Sequence, residues 1–356
     1  MPKPPAPFEL ITLYGGEVQI KFLTNSHTYK IYDVEHKRNW ETSPSATGIT
    51  DKMEKGAGLM VYAMSEAMKY MDQVFHNRSL RSLVDDKDFT FTQFFKDARQ
   101  AHKDKSSLGK RVGIVSHDYV EKLLKAFKKA QDNSTQFIVP PVPKAVDLAS
   151  DLKESWQNII GIYDFKTIKD VEKYREVVNR DIEVRSKIWQ EAMMVQQSSE
   201  GAREFFVAAA KAGALRVWAV EQFVHSREYF FSGRFDAILE FVKPFVFRGY
   251  TISTGIYITD FKTSNPGVEY PMGIFPNHLA QIGMYDVAYC EEHPEVMDRI
   301  KGHLLLGSSK YGEGFHPYVS LKRDRNRKWA MALVPVMEYM HQGEKELKGL
   351  QLYGKK

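Results

Sequence analysis

Cysteine is almost absent from this chain: Cys290 stands alone among 356 residues. One cysteine makes no internal disulfide, no cysteine-rich zinc site and no iron–sulfur cluster, and such scarcity points to a reducing compartment. Long apolar runs are missing too, with none near the roughly 18 residues a membrane-spanning helix needs. The first residues, MPKPPAPFEL, lack the apolar core of a signal peptide and the Arg-rich look of a transit peptide. A soluble, cytoplasmic chain with no membrane partner is expected. Neither charge sign dominates: the net charge is +5. That mild excess suits a polyanionic partner without identifying one. Aromatics are abundant, with 18 Tyr and 22 Phe in a 43% hydrophobic composition. This excludes a disordered tail and gives enough core for one large domain or two moderate ones.

Along the chain, residues 8–35 alternate polar and apolar around turn residues and read as a small hairpin. TSPSATGIT then supplies loop and helix-start signals. Helical periodicity follows in residues 58–75, where Met60, Ala63, Met64, Ala67, Met68 and Met71 form one apolar stripe, read as core. A polar stretch leads to a second helix near residues 113–130. VPPVPK (139–144) is the clearest break, and residues 145–215 look helical and charged. From about residue 217 the period changes. VWAVEQFV, EYFFSGRFDAILEFV and GIYITDFKT are strand-like, a helix covers roughly 276–291, and HLLLGSS, HPYVSLKR and an amphipathic stretch follow. The fold class is α/β, a mixed sheet flanked by helices and preceded by a helical half. The expected division is an N-terminal hairpin and helical region (1–110), a core helix with a Pro-rich connector (111–144), a helical insertion or arch (145–215) and a core (216–345).

YITDFKTS (257–264) places an acid and a lysine in a run bound for the interior. Side chains alternate along a strand, so Asp260 and Lys262 share a face with Ile258. In GRFDAILEF the same alternation puts Arg234, Asp236, Ile238 and Glu240 on one side and Phe235, Ala237, Leu239 and Phe241 on the other. Neighbouring strands then bring Asp236 and Asp260 together beside a lysine. Close carboxylates repel unless a cation lies between them. Magnesium typically takes one or two carboxylates plus substrate phosphate. Such a site suits phosphodiester hydrolysis, with the lysine steadying a water or the developing charge. An isolated D-x-K is equally the pattern of a structural ion pair at a strand end.

The ordered set of motifs resembles the PD-(D/E)XK nuclease superfamily, in its RecB-like and phage-exonuclease branch, which includes CRISPR-associated and mitochondrial single-strand exonucleases. GRFDAI resembles the glycine-then-aspartate strand, which makes Asp236 a metal ligand. DFKTS resembles the D-x-K strand, with Asp260 as second ligand and Lys262 as catalytic lysine. QIGMY resembles the Q-x-x-x-Y helix, setting Gln281 and Tyr285 one turn apart on one face. GIVSHDYVEKLL resembles the helix whose histidine joins the metal site, here His117. SPSATGIT resembles the segment preceding a helix in phage relatives. The resemblance implies a restriction-endonuclease-like core, one or two Mg2+ or Mn2+ ions and no iron–sulfur cluster. It also implies DNA as partner, with a recombination or replication protein as a further one, and host-cell cytoplasm for a phage product. The expected activity is a metal-dependent DNA exonuclease acting on ends or single strands; an endonuclease of the same fold and a non-catalytic DNA-binding protein are the alternatives. Asp236 and Asp260 lie 24 positions apart, longer than the family's hairpin, and KPFVFRGYTISTG reads as an inserted strand and loop.

Other residues carry two readings. Glu221, in WAVEQFV, is either a further metal carboxylate or an exposed strand residue. Thr263 and Ser264 either bond a phosphate oxygen or close the strand, and His278 is read as structural. The basic runs at 125–131 and 321–328, near Phe127 and Trp329, are either a grip on nucleic acid or solvated faces.

Overall fold

The structure, a computed structural model, describes residues 7–54, 68, 90–148, 171–264, 274–309 and 315–335. Alternation at Val18, Ile20 and Phe22 and at Tyr29 and Ile31 buries one face of an antiparallel meander. Its strands are β1 (Phe8–Leu13), β2 (Val18–Leu23), β3 (Thr28–Asp33) and β4 (Arg38–Ser43), in that spatial order. The expected hairpin is therefore four strands. RNWETS, the fourth, has no apolar alternation because it is an edge strand with little to bury.

Helix α1 (Ala46–Glu54) starts at Ser45, whose Oγ accepts the Gly48 N–H at 2.9 Å. Helix α2 (Phe91–Asp132) is far longer than the expected 113–130. The polar stretch before residue 113 is rich in Lys, Arg, Gln and Ala, which continue a helix readily. Because α2 runs unbroken through residues 110 and 111, the expected boundary there is not a break in the fold. Helix α3 (Val171–Lys211) buries Ile188, Ala192, Val195, Ala202, Phe205, Phe206 and Ala209 at helical spacing. The second half of the expected insertion or arch over 145–215 is therefore a helix with one face packed on the sheet. Of the expected methionine stripe, only Met68 is described; it is 62% exposed, against the core reading. The rest of the stripe lies outside the described residues.

The main sheet follows: β5 (Leu215–Ser226), β6 (Phe231–Phe241), a side hairpin of β7 (Phe245–Phe247) and β8 (Tyr250–Ile252), β9 (Gly255–Ser264), helix α4 (Pro276–Glu292), β10 (Ile300–Ser309), β11 (Phe315–Ser320), and a helix α5 over residues 323–335. The order is β11-β10-β9-β6-β5. Only β9 and β10 are parallel, joined through α4 as such a crossover requires. The β7–β8 hairpin is the inserted element expected between the two aspartates. Helices α2 and α3 cover one face, packing on Ala237, Leu239, Phe241, Tyr257 and Phe261. Helices α1, α4 and α5 cover the other, over Ile238, Ile256, Ile258 and Leu305. The architecture is mixed α/β. The meander docks on β5 through Phe223, and Arg227 pairs with Glu17, Asp33 and Glu35. Among the described residues, no helix is long and apolar enough to cross a membrane.

Candidate active site

Strand β6 lies inside the sheet, yet both of its ladders release it at Asp236. The β5 ladder passes from Val220↔Ala237 to Gln222↔Phe235, and the β9 ladder ends at Ala237↔Thr259. Opposite, Glu221 takes a left-handed backbone with φ 54°. Strict alternation fails here. Phe235 packs on Tyr285 and Tyr289 of α4, on the face of Ile238, rather than with Ala237, Leu239 and Phe241 as expected. A left-handed residue in the neighbouring strand interrupts the pleat, so the two-residue period no longer fixes the side. Asp236 turns toward α2. Its Oδ2 accepts the Phe261 N–H, and its Oδ1 lies 3.6 Å from His117 Nδ1. His117 stands edge-on to the Phe261 ring. One turn earlier in α2, a Cβ on Gly113 would come 2.9 Å from Thr263 Oγ1, so a glycine lets this helix approach the end of β9.

Asp260 and Lys262 do share a face. The Lys262 ammonium is 2.5 Å from Asp260 Oδ2 and donates to Gln281 Oε1 at 2.8 Å. The Gln281 amide nitrogen donates to Thr47 Oγ1 at 2.7 Å and to the Tyr285 hydroxyl at 2.6 Å. Three bonds thus fix the amide in one orientation. Tyr285 lies flat against Gly233, where a Cβ would fall 2.4 Å from its Cε1. The glycine of GRFDAI therefore makes room for the tyrosine of QIGMY.

Burial sets the electrostatics. Asp260 is 4% exposed. Desolvation, reinforced by Asp236, holds its carboxyl above the usual range despite Lys262. Burial also pushes Asp236 up, but His117, the Phe261 N–H and Lys262 outweigh it and hold this carboxyl low. Desolvation lowers His117, and Asp236 more than reverses that. The two acids are pushed apart, the pattern of a pair with different roles. Burial holds the Tyr285 hydroxyl protonated. Glu221 is pushed up to about 8 by burial and then by Asp236. It pairs with Arg234 at 2.8 Å and bonds to no other candidate residue. His278 accepts the Phe275 N–H at 3.2 Å, capping its own helix. Burial and then Lys262 push it down to about 3, which suits the structural reading.

Among the described residues, no three His, Cys, Asp or Glu side chains form a ready metal cage. Magnesium needs only one or two carboxylates when water and substrate phosphate complete its shell. Asp236 and Asp260 match that hard-oxygen chemistry. Asp260 Oδ2 is buried, with the Lys262 ammonium 2.5 Å away. Two carboxylates close enough for Asp236 to raise the charge cost of buried Asp260 favour a cation between them, so the donor chemistry of the pair fits a divalent ion.

Thr47 is the participant the sequence did not single out. SPSATGIT pointed to its segment, but only the fold carries α1 onto α4. Part of each basic run has an acidic partner: Lys125 with Glu121, Lys128 with Asp132 at 2.9 Å, and Arg323 with Asp286 at 2.7 Å.

No family model matches the chain, and no curated protein does. Among solved structures, one described as "Crystal structure of SSO0001" is similar over 61% of this chain and 85% of its own length, at 13% identity and a TM-score of 0.22. A likeness that slight carries no argument about fold or activity.

Proposed function

We propose that the chain is a metal-dependent deoxyribonuclease of the PD-(D/E)XK type, on a restriction-endonuclease-like core, which hydrolyses DNA from ends or on single strands. The supporting observation is the convergence of Asp236, Asp260 and Lys262, with Lys262 held between Asp260 and Gln281. Asp236 and Asp260, with His117 beside them, are the residues that would hold Mg2+ or Mn2+. When bound, the ion supplies Lewis-acid stabilisation of phosphoryl oxygens and acidifies a water. The chain's own residues do the rest. Lys262 offers donors to the attacking water and to negative charge developing on phosphate. Gln281 restrains that ammonium, and the Tyr285 hydroxyl and Thr47 restrain Gln281. Apolar walls from Phe261, Ile258 and Phe235 strengthen each of these interactions by keeping the dielectric low.

The test is a digestion series on end-labelled linear DNA, single- and double-stranded, beside covalently closed circles. It would be run with Mg2+, Mn2+ or EDTA for the parent, Asp260→Ala and Lys262→Ala. Linear DNA is expected to shorten only with a divalent ion and only with the parent. Cutting of circles would replace the exonuclease with an endonuclease. A parent inert with every divalent ion would leave Asp260 and Lys262 as a structural ion pair in a non-catalytic protein.

A further inference from the structure

The meander has a second face, turned away from the core. Register places Phe8 and Leu10 of β1 there, opposite Leu23 and Lys21 of β2. Lys21 in turn faces Lys30 of β3, Gln19 faces Tyr32, and Lys30 faces Thr42 of β4. Trp40 joins them, its ring 5.7 Å from Tyr32 at a shallow tilt of 34°. Three aromatic rings are open to solvent: Phe8 at 49%, Tyr32 at 37% and Trp40 at 36%, with Leu10 at 58%.

Three features of this face call for a ligand. Large aromatics stand on the outside of a sheet whose other side already has a core. Lys21 and Lys30 lie directly across from each other, an arrangement that costs stability in a bare sheet. Among the described residues neither has an acid beside it, since the nearby carboxylates Glu9 and Glu41 pair across from the inward Phe22 and Ile31. Lys21 rests 4.1 Å over the Phe8 ring. Positive charge with no counter-ion among stacking rings is the chemistry that holds a single strand, phosphates on the lysines and bases on the rings.

We propose that this outer face, built on Lys21, Lys30, Tyr32, Trp40 and Phe8, binds single-stranded DNA and hands it to the candidate active site. The choice of DNA over another polyanion rests on the nuclease reading; the charge and the exposed rings do not. The path is short. Thr42 on this face precedes Thr47, the partner of Gln281, by five residues, at most about 18 Å of chain. The ladder of β4 leads directly into α1.

Fluorescence anisotropy of a labelled 25-mer of deoxythymidine, in EDTA to stop cleavage, tests this with the full chain. The variants are Tyr32→Ala, Trp40→Ala and the pair Lys21→Glu with Lys30→Glu. Tyr32 and Trp40 are exposed and the two lysines half-buried, and a parental thermal melt checks folding. Each aromatic change is expected to weaken binding about 10-fold. The lysine pair is expected to weaken it further and to flatten the slope of log affinity against log salt by about 1. Trp40 emission should be quenched by the oligonucleotide in the parent. Variants that bind as the parent does, or a parent that does not bind, overturn the proposal. Cleavage measured in parallel separates the two readings. If the parent cuts DNA while the variants bind normally, the nuclease stands and this surface falls. If the parent binds through this face but never cuts, the surface stands and the nuclease falls.

Discussion

The carboxylate of Asp236 accepts the backbone N–H of Phe261, replacing the ladder bond at the point where β6 and β9 part. One side chain thus has two duties: it satisfies a backbone donor in the sheet and presents its other oxygen toward His117. These duties separate by mutation. Asp236→Asn keeps an acceptor for the N–H and loses the charge. It should unfold in urea close to the parent yet cut DNA about 10²-fold more slowly or worse. Asp236→Ala strands the N–H and should lose about 1–3 kcal/mol of stability as well. An Asp236→Asn protein with parental cleavage rates would remove this residue from the chemistry.

Gly233 and Tyr285 form the second such coupling, since the ring occupies the space a Cβ would need. Gly233→Ala should cost about 1–3 kcal/mol by overpacking. The displaced hydroxyl would release Gln281, and with it Lys262, so cleavage per folded molecule should also fall. Adding Tyr285→Leu should recover stability but not cleavage. Recovery of both would show that Tyr285 has no part in positioning the lysine.

Much of this site was legible from local periods. Asp260 and Lys262 share a face because they stand two apart in a strand, and Gln281 meets Tyr285 because they stand four apart in a helix. The turn of Asp236 toward α2 was not legible. It depends on Glu221, in a different strand, taking a left-handed backbone, and nothing in GRFDAILEF encodes that. Thr47 was hidden for a related reason: its role comes from α1 packing on α4, a contact made across more than 200 residues. The length of α2 was missed because polarity resembles a loop in sequence, although Lys, Arg and Gln are good helix formers.

Arg323 shows how a basic run misleads. Its guanidinium donates to both oxygens of buried Asp286, at 2.7 and 2.8 Å, and Asp286 also meets His303 at 3.0 Å. These bonds tie α5 and β10 to α4, and the hydrogen bonds from His303 and Arg323, offsetting the burial, hold the Asp286 carboxyl well below its usual range. Arg323→Ala removes the two-pronged partner of that buried charge, leaves it His303 and the Cys290 thiol, and should cost up to about 3–5 kcal/mol. Lysine lacks the planar fork and should not rescue it. The salt dependence of DNA binding should stay parental for whatever protein remains folded. A flattened salt slope without a lower thermal midpoint would instead make Arg323 a phosphate contact.

His225 gives the fold an acid-sensitive point apart from the carboxylates. It is fully buried, its Nδ1 pairs with Ser232 Oγ at 2.9 Å, and its Nε2 has no hydrogen-bond partner. Burial, and then Arg38, push it down to about 4; Arg227 also lowers it, while Asp33 and the Phe231 backbone oppose them. The unfolded chain titrates near 6.5. Between those values the unfolded state binds more protons than the folded one, so stability rises with pH across that window and is lost as pH falls from 6.5 to 4. The effect is on the order of 3 kcal/mol. Neutral Gln in its place has no proton to gain, so His225→Gln should make the fall of urea midpoints between pH 6.5 and 4 shallower, leaving the share that buried His278 contributes, even if its stability at pH 7 is lower. A variant whose midpoint falls as steeply as the parent's would move the acid sensitivity to another group.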